Sequence, residues 1–210
     1  LQYLVADADV KTWSDLKGKN IGVLSKGSCS YWFARLVLQG HGLDPDRDAN
    51  IIGLGPRHAQ VVELFESGEL QAGVLSEPTV SIGEYRGAFR MMKALSEPEF
   101  CPSMQWSVTV ANCDVIEREP NLVAAVLRAC KRSYQYSAEH DDEFATFGAG
   151  HYGIDKATMR RSMERERGDL HHECVVDMAG LDLAIDLQHR LGAFKAPMRA
   201  TEITDLRYLP

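Results

Sequence analysis

The segment Ser25-Lys26-Gly27-Ser28-Cys29-Ser30 sets a glycine, three hydroxyls and a thiol within six residues. It directly follows the short apolar run Ile21 to Leu24. It precedes Trp32, Phe33, Leu36 and Val37, whose spacing is that of one helix face. The chain therefore hands over from a strand to a helix at this point. The first turn of a helix offers amide N–H groups without intrahelical partners and a partial positive charge. Gly27 lets a ligand come close to the backbone, and a serine hydroxyl can donate or accept. Together these suit a carboxylate, a sulfonate or another anion. Plain capping of the helix by Ser28 or Ser30 uses the same residues, and from the sequence both readings stand. The spacing G-x-x-x-x-G-K-[ST] is absent, so this is not a phosphate P-loop.

Other residue types with chemical potential are weaker. Cys29 as a nucleophile needs a positioned base; His41 and His58 are available, and their spacing assigns neither. Arg57 falls just after a predicted strand at a helix start, where a guanidinium can hold an anion in bidentate fashion; a solvated surface arginine reads the same. Glu77 opens another helical stretch. It is either an acceptor for a ligand ammonium or amide, or a carboxylate near the positive end of the helix. Asp44 to Asp48, "DPDRD", lacks the glycine and glutamate that a calcium loop needs at its sixth and twelfth positions, which here are Ala49 and Gly55. His171 to Cys174, "HHEC", has adjacent histidines and no spaced partner pair. Met159 to Asp169 is a charged helix face with the i,i+4 pair Arg160 and Glu164. No metal site and no cofactor is expected. The five cysteines, Cys29, Cys101, Cys113, Cys130 and Cys174, are odd in number and none form C-x-x-C; one disulfide and a set of unpaired thiols both fit.

The elements that position these residues alternate. Strands are predicted at Asn20 to Leu24, Asn50 to Leu54, Leu70 to Leu75 and Ala88 to Leu95. Helices are predicted at Ser28 to Gln39, Pro56 to Ser67 and Glu77-Pro78 to Arg86. Such alternation marks an α/β fold with a parallel sheet covered by helices. Ligands bind such sheets beyond the carboxyl ends of the strands, where Gly27-Ser28, Gly55-Pro56-Arg57 and Ser76-Glu77-Pro78 fall. A boundary is expected near Pro98 to Pro102. Beyond it, Met104 to Asn112 alternates and reads as a strand. Helices follow at 121–139, 142–147, 155–167, 177–191 and 201–206, several opening on Asp, Asn or Thr.

The 210 residues carry a formal net charge of -7, from 23 basic and 30 acidic side chains, and show no basic block. Nucleic-acid binding is therefore not expected. No apolar run is long enough to cross a membrane. The first residue is Leu1, so the start is expected to be a fragment, a processed end or a trimmed chain.

The stretch from Trp13 to Pro78 resembles the ABC-transporter substrate-binding proteins of the sulfonate, nitrate and taurine type, which share a superfamily with the thiamine-pyrimidine proteins. The matching elements come in order: Asp15-Leu16-Lys17-Gly18-Lys19 before the strand, Gly27-Ser28 after it, the "GLDPDRD" turn, "LG" before the next helix, and "ESGELQAG" leading to Glu77-Pro78. The closing "TEITDLRYLP" is similar to the family's carboxyl end. The resemblance implies a two-lobed, flytrap-like periplasmic-binding-protein fold of type II, its first lobe incomplete in this chain. Residues 1–12 would be a crossover strand from the first lobe, 13–100 the second α/β lobe, and 101–210 the return crossover and the helical part of the first lobe. It implies a non-catalytic binder of a small anionic or zwitterionic organic compound, with Gly27, Ser28, Cys29, Ser30, Arg57 and Glu77 at the cleft. It further implies transporter membrane subunits as partners and a periplasmic or extracellular, membrane-associated location. An amino-terminal segment ahead of Leu1, or self-association, is expected to cover the unfinished lobe. An enzyme of the thiamine-pyrimidine branch and a stand-alone ligand sensor are the alternatives; the enzyme would require a cysteine cluster that the sequence lacks.

Overall fold

Tyr3 and Val5 lie in one buried apolar cluster, Leu4 and Ala6 in another. Successive side chains of a strand point to opposite faces, so the strand Tyr3–Ala6, β1, is covered on both sides. The computed structural model describes residues 1–97, 104–168 and 175–209. In it β1 belongs to a five-stranded sheet with β2 (Asn20–Val23), β3 (Asn50–Gly53), β4 (Ala72–Leu75) and β5 (Arg90–Ala94), in the order β3-β2-β4-β1-β5. β2 pairs in parallel with β3 and β4, whereas β1 runs antiparallel to both β4 and β5. The sheet is thus mixed, where the alternation predicted a parallel one. Right-handed crossovers govern strands joined by a helix. β1 is joined to β2 only through a short 3-10 turn, Trp13–Leu16, and does not lie beside it.

Helix α1 (Cys29–Gly40) covers one face: Phe33, Ala34, Val37 and Leu38 pack on Leu4, Ile21, Val23 and Val74. Helices α2 (Val61–Glu66) and α3 (Thr79–Arg86) cover the other, with Val61, Val62, Leu64, Phe65 and Val80 against Tyr3, Val5, Leu75 and Phe89. Burial of each such side chain is worth about 1.5–3 kcal/mol. The single helix expected over Pro56 to Ser67 is instead a 3-10 stretch, Gly55–Gln60, followed by α2. No residue of Gly55–Gln60 is buried, and the apolar run that holds a helix to the sheet begins only at Val61.

The remaining helices are α4 (Cys113–Arg118), α5 (Pro120–Glu139), α6 (Asp141–Tyr152), α7 (Lys156–Glu166), α8 (Met178–Arg190) and α9 (Ala200–Ile203). Asn112, Asp155 and Asp177 cap α4, α7 and α8 by accepting backbone N–H bonds, as their residue types suggest. α4 is not among the helices predicted above. α5 is amphipathic yet buries no residue; Leu122 and Val126 remain about half exposed, at 49% and 46%. Met104 to Asn112, expected as a strand, has no regular secondary structure and joins no ladder among the described residues, and Val108 and Val110 face solvent. Its β-branched alternation suits a strand, but a strand exists only with a neighbour to take its N–H and C=O groups. Arg160 pairs with Asp142 of α6 and not with Glu164. Cys29, Cys113 and Cys130 are free thiols. Cys101, Cys174, the "HHEC" motif and the boundary at Pro98 to Pro102 lie outside the described residues.

Candidate functional site

β2, β3 and β4 are neighbouring parallel strands, so the loops after Val23, Gly53 and Leu75 leave the sheet at one edge. The loops approach closely. A Cβ at Gly53 would lie 3.0 Å from the Lys26 amide nitrogen and press on that loop. Gly27 sits at φ +86, a conformation that favours glycine.

The hydroxyls of this turn are engaged with its own backbone. The Ser28 Oγ caps α1, accepting from the Tyr31 N–H at 3.4 Å and the Ser25 N–H at 3.3 Å, and donates to the Ser25 carbonyl at 2.7 Å. It also lies 3.0 Å from the Ser30 Oγ. Ser30 is buried and accepts the Leu24 N–H at 3.0 Å. The Trp32 indole N–H donates to the Gly27 carbonyl at 3.1 Å. The capping reading thus holds for Ser28, whereas Ser30 lies inside α1 and ties the preceding loop to it through the Leu24 N–H. What the turn leaves over is backbone: the amides of Cys29 and Ser30, the first two of α1, have no acceptor among the described residues. First-turn amides of a helix point out of its amino end, where its dipole favours negative charge. Lys26 stands beside them in an exposed loop.

The Cys29 thiol reaches the surface at the rim of a narrow apolar cleft of ≈ 50 Å³. Trp32, Phe33 and Leu36 of α1 form one wall; Met104, Trp106 and Leu187 form the other. The stacked rings of Phe33 and Trp106, 5.0 Å apart, close it. As it stands it holds little more than water, since organic ligands occupy roughly 300–1,000 Å³. Desolvation among these side chains pushes the thiol's pKa up.

Arg57 and Glu77 lie on the same edge but already have partners. Arg57 Nη2 donates to both oxygens of the Glu69 carboxylate at 2.6 Å, an exposed ion pair. Glu77 is buried. Its Oε2 accepts the Ser81 N–H at 3.1 Å, and its Oε1 accepts the Ser81 hydroxyl at 3.0 Å together with Arg165 Nη1. Arg165 also donates to Glu84 at 2.6 Å and lies over the Tyr3 ring, 5.8 Å from its centroid. Sequence reading missed Arg165. It sits 88 residues from Glu77, on a helix whose charges look like a solvated face, and no local spacing marks such a contact. Among the described residues no cluster of His, Cys, Asp and Glu could hold a metal ion. The "DPDRD" aspartates serve the protein itself: Asp46 takes both Arg35 Nη groups, Asp44 takes Arg47, and Asp48 takes Lys17.

A profile described as NMT1/THI5-like matches residues 2–144. The chain belongs to the NMT1/THI5-like family. A protein of Brucella abortus (strain 2308), provisionally named a binding protein, is 23% identical to this NMT1/THI5-like chain over 174 residues, covering 82% of the chain and 53% of the relative. The chain therefore spans about half the length of that relative. Among solved structures, the alkanesulfonate-binding protein SsuA from Xanthomonas axonopodis pv. citri, bound to MOPS, matches with a TM-score of 0.70 at 16% identity, covering 96% of this chain and 68% of that one. A ligand-binding component of an ABC-type import system from Staphylococcus aureus, with zinc bound, gives 0.79 at 11%, covering 99% and 69%. The desulfurization enzyme DszB gives 0.60 at 14%, covering 99% and 74%. These likenesses establish the fold, an α/β mixed sheet with helices, as that of the periplasmic binding proteins.

Proposed function

We propose that this chain is the solute-binding part of an ABC importer and takes a small organic anion, with sulfonates the leading class. The observation that carries this reading is the pair of acceptor-less amides at the start of α1, on the edge where three loops meet. SsuA supports it, since that protein shares the fold and binds alkanesulfonates. Nitrate and taurine are the other ligand types the resemblance implies. Residues 13–100 then form the second lobe, β1 arrives from the first, and the helices beyond residue 104 return to the first. Membrane subunits of the importer are the partners, and the location is periplasmic or extracellular at the membrane. The half-exposed stripe on α5 is the surface assigned to first-lobe chain or to a second copy.

DszB, an enzyme, keeps a catalytic reading in play because it shares the fold. Cys29 argues against it here. A nucleophilic thiol needs a lowered pKa, and desolvation raises this one.

The test removes one amide and little else. Cys29 is the first residue of α1, and Ser28 before it is extended at φ -71, ψ 166. Proline fits the first helical position and follows an extended residue well. Cys29→Pro should therefore keep the helix and delete one N–H. Isothermal calorimetry with ethanesulfonate should show a loss of about 1.5–3 kcal/mol in binding, the usual worth of a hydrogen bond to a charged group. Cys29→Ser, which keeps the amide, should bind like the parent. Unchanged affinity in a folded Cys29→Pro protein would end this assignment.

A further inference from the structure

β1 ends where β4 and β5 begin: Ala6 pairs with Ala72, the first residue of β4, and with Arg90, the first of β5. This end of the sheet lies opposite the loops after Val23, Gly53 and Leu75, since β2, β3 and β4 run in parallel. An open cavity of ≈ 380 Å³ lies here, lined by Lys11, Thr12, Trp13, Arg90, Met92 and Lys93. That volume is within the roughly 300–1,000 Å³ of sites for small organic ligands. Half of the lining is cationic in a chain of net charge -7, and among the described residues no carboxylate lines it.

Two acids of the adjoining loop are turned to its own backbone. Asp7 accepts the N–H groups of Asp9 and Val10, and Asp15 those of Lys11 and Thr12. Glu97 reaches Lys93 Nζ at 2.7 Å and offsets that one charge. Lys11 is exposed and has no ion pair among the described residues. Arg90 gives Nη2 to the Val10 carbonyl at 2.7 Å, which fixes the guanidinium beside the loop and leaves its other N–H groups without an acceptor among the described residues. Three cations less the one carboxylate leave a charge of +2. A guanidinium fork and an ammonium are the donors that grip a phosphate. Trp13, its indole stacked on His41 with ring centroids 4.0 Å apart, and the partly buried Met92 add an apolar wall.

We propose that this cavity binds a small organic dianion, a phosphate monoester, with the phosphate on Lys11 and Arg90 and the organic part against Trp13 and Met92. Charge selects the head group: a dianion balances the +2, whereas a monoanion leaves half of it uncompensated. The apolar wall selects the ester over inorganic phosphate, which would leave that surface wet. The site is separate from the sulfonate reading above and stands without it.

Phenyl phosphate is the probe, used at pH 8, above its second pKa of about 6, and at low salt, where exposed charges are least screened. Calorimetry on the full chain should show one molecule bound per chain. Benzenesulfonate keeps the ring with one charge and should have at least a tenfold higher Kd; inorganic phosphate, without the ring, should also bind several-fold more weakly. Lys11→Met and Arg90→Gln should each raise the Kd for phenyl phosphate tenfold or more, and Lys11→Arg should restore it. Lys11→Met keeps the backbone N–H that Asp15 accepts, so it decides the matter even if Arg90→Gln, which releases Val10, does not fold. No binding of phenyl phosphate by the parent, either control as tight as phenyl phosphate, or a parent-like Kd in folded Lys11→Met would each overturn the proposal. Loss of binding in Lys26→Met but not in Lys11→Met would put the anion at the α1 turn and overturn it as well. Ethanesulfonate binding is measured apart from all of these, so the failure of either reading is seen separately.

Discussion

Replacing Arg165 by methionine tests how the helices beyond residue 113 are held to the sheet. α7 packs on α3, and Arg165 is the cation at that contact, bridging Glu77 and Glu84. Removing one partner of a buried ion pair costs about 3–5 kcal/mol, because the other charge is left uncompensated. Glu77, at 3% side-chain exposure, fits that regime; Glu84, at 22%, can still reach water. The lost contact with the Tyr3 ring adds about 0.5–1 kcal/mol. Methionine keeps most of the apolar stem, so little packing loss is added and the sum comes to about 3.5–6 kcal/mol. Urea unfolding followed by circular dichroism should show that loss against a total of about 5–15 kcal/mol for a domain of this kind. Glu77→Gln in the Arg165→Met background should recover about 1–2 kcal/mol, since the orphaned charge is then gone and the bonds to Ser81 can persist. A loss under about 0.5 kcal/mol for Arg165→Met, or strict additivity across the cycle, would show that the pair is solvated and that α7 is held by something else.

Three further outcomes follow from the same structure. Desolvation raises the Cys29 pKa, so iodoacetamide at pH 8 should alkylate it more slowly in the folded chain than in the urea-unfolded one, as peptide mass mapping would read. Burial lowers the His58 pKa below its ordinary value of 6.5, so the folded state binds fewer protons there. Stability should be complete above about pH 6.5 and fall as the pH drops through the folded pKa, and His58→Gln should flatten that part of the profile. A Cβ at Gly83 would lie 1.9 Å from Phe89 Cζ, and Phe89 is itself packed on Phe65 with ring centroids 4.6 Å apart. Gly83→Ala should therefore cost about 1–3 kcal/mol or more and lower the Tm, a sign opposite to that of glycine-to-alanine changes in open helices.

What could be read from the chain was whatever is local. The run Ile21 to Leu24 and the face Trp32, Phe33, Leu36 and Val37 specify β2, α1 and the turn between them, because hydrophobic period and capping act over a few residues. The same logic located the three loops of the candidate site. It misled at Met104 to Asn112, where the alternation suits a strand but the hydrogen-bonding neighbour is a long-range matter. It was equally blind to β1 running antiparallel between β4 and β5, since the order of strands not joined by a crossover leaves no periodic trace.

The site divides along the same line. Serine and glycine types at a strand-to-helix turn suit a cap or an anion alike; the hydroxyls bind their own loop, and the first two amides of α1 have no acceptor among the described residues. Glu77 looked equally suited to an ammonium or to a helix dipole. Its actual state is set by Arg165, from a helix whose sequence reads as solvated charge. A carboxylate's role in recognition depends on which of its lone pairs remain free, and that is fixed by whatever the fold brings against it. Hence the cation in the Glu77 pair, which no motif marks, says more about what that carboxylate can still accept than the residue types around it in the loop.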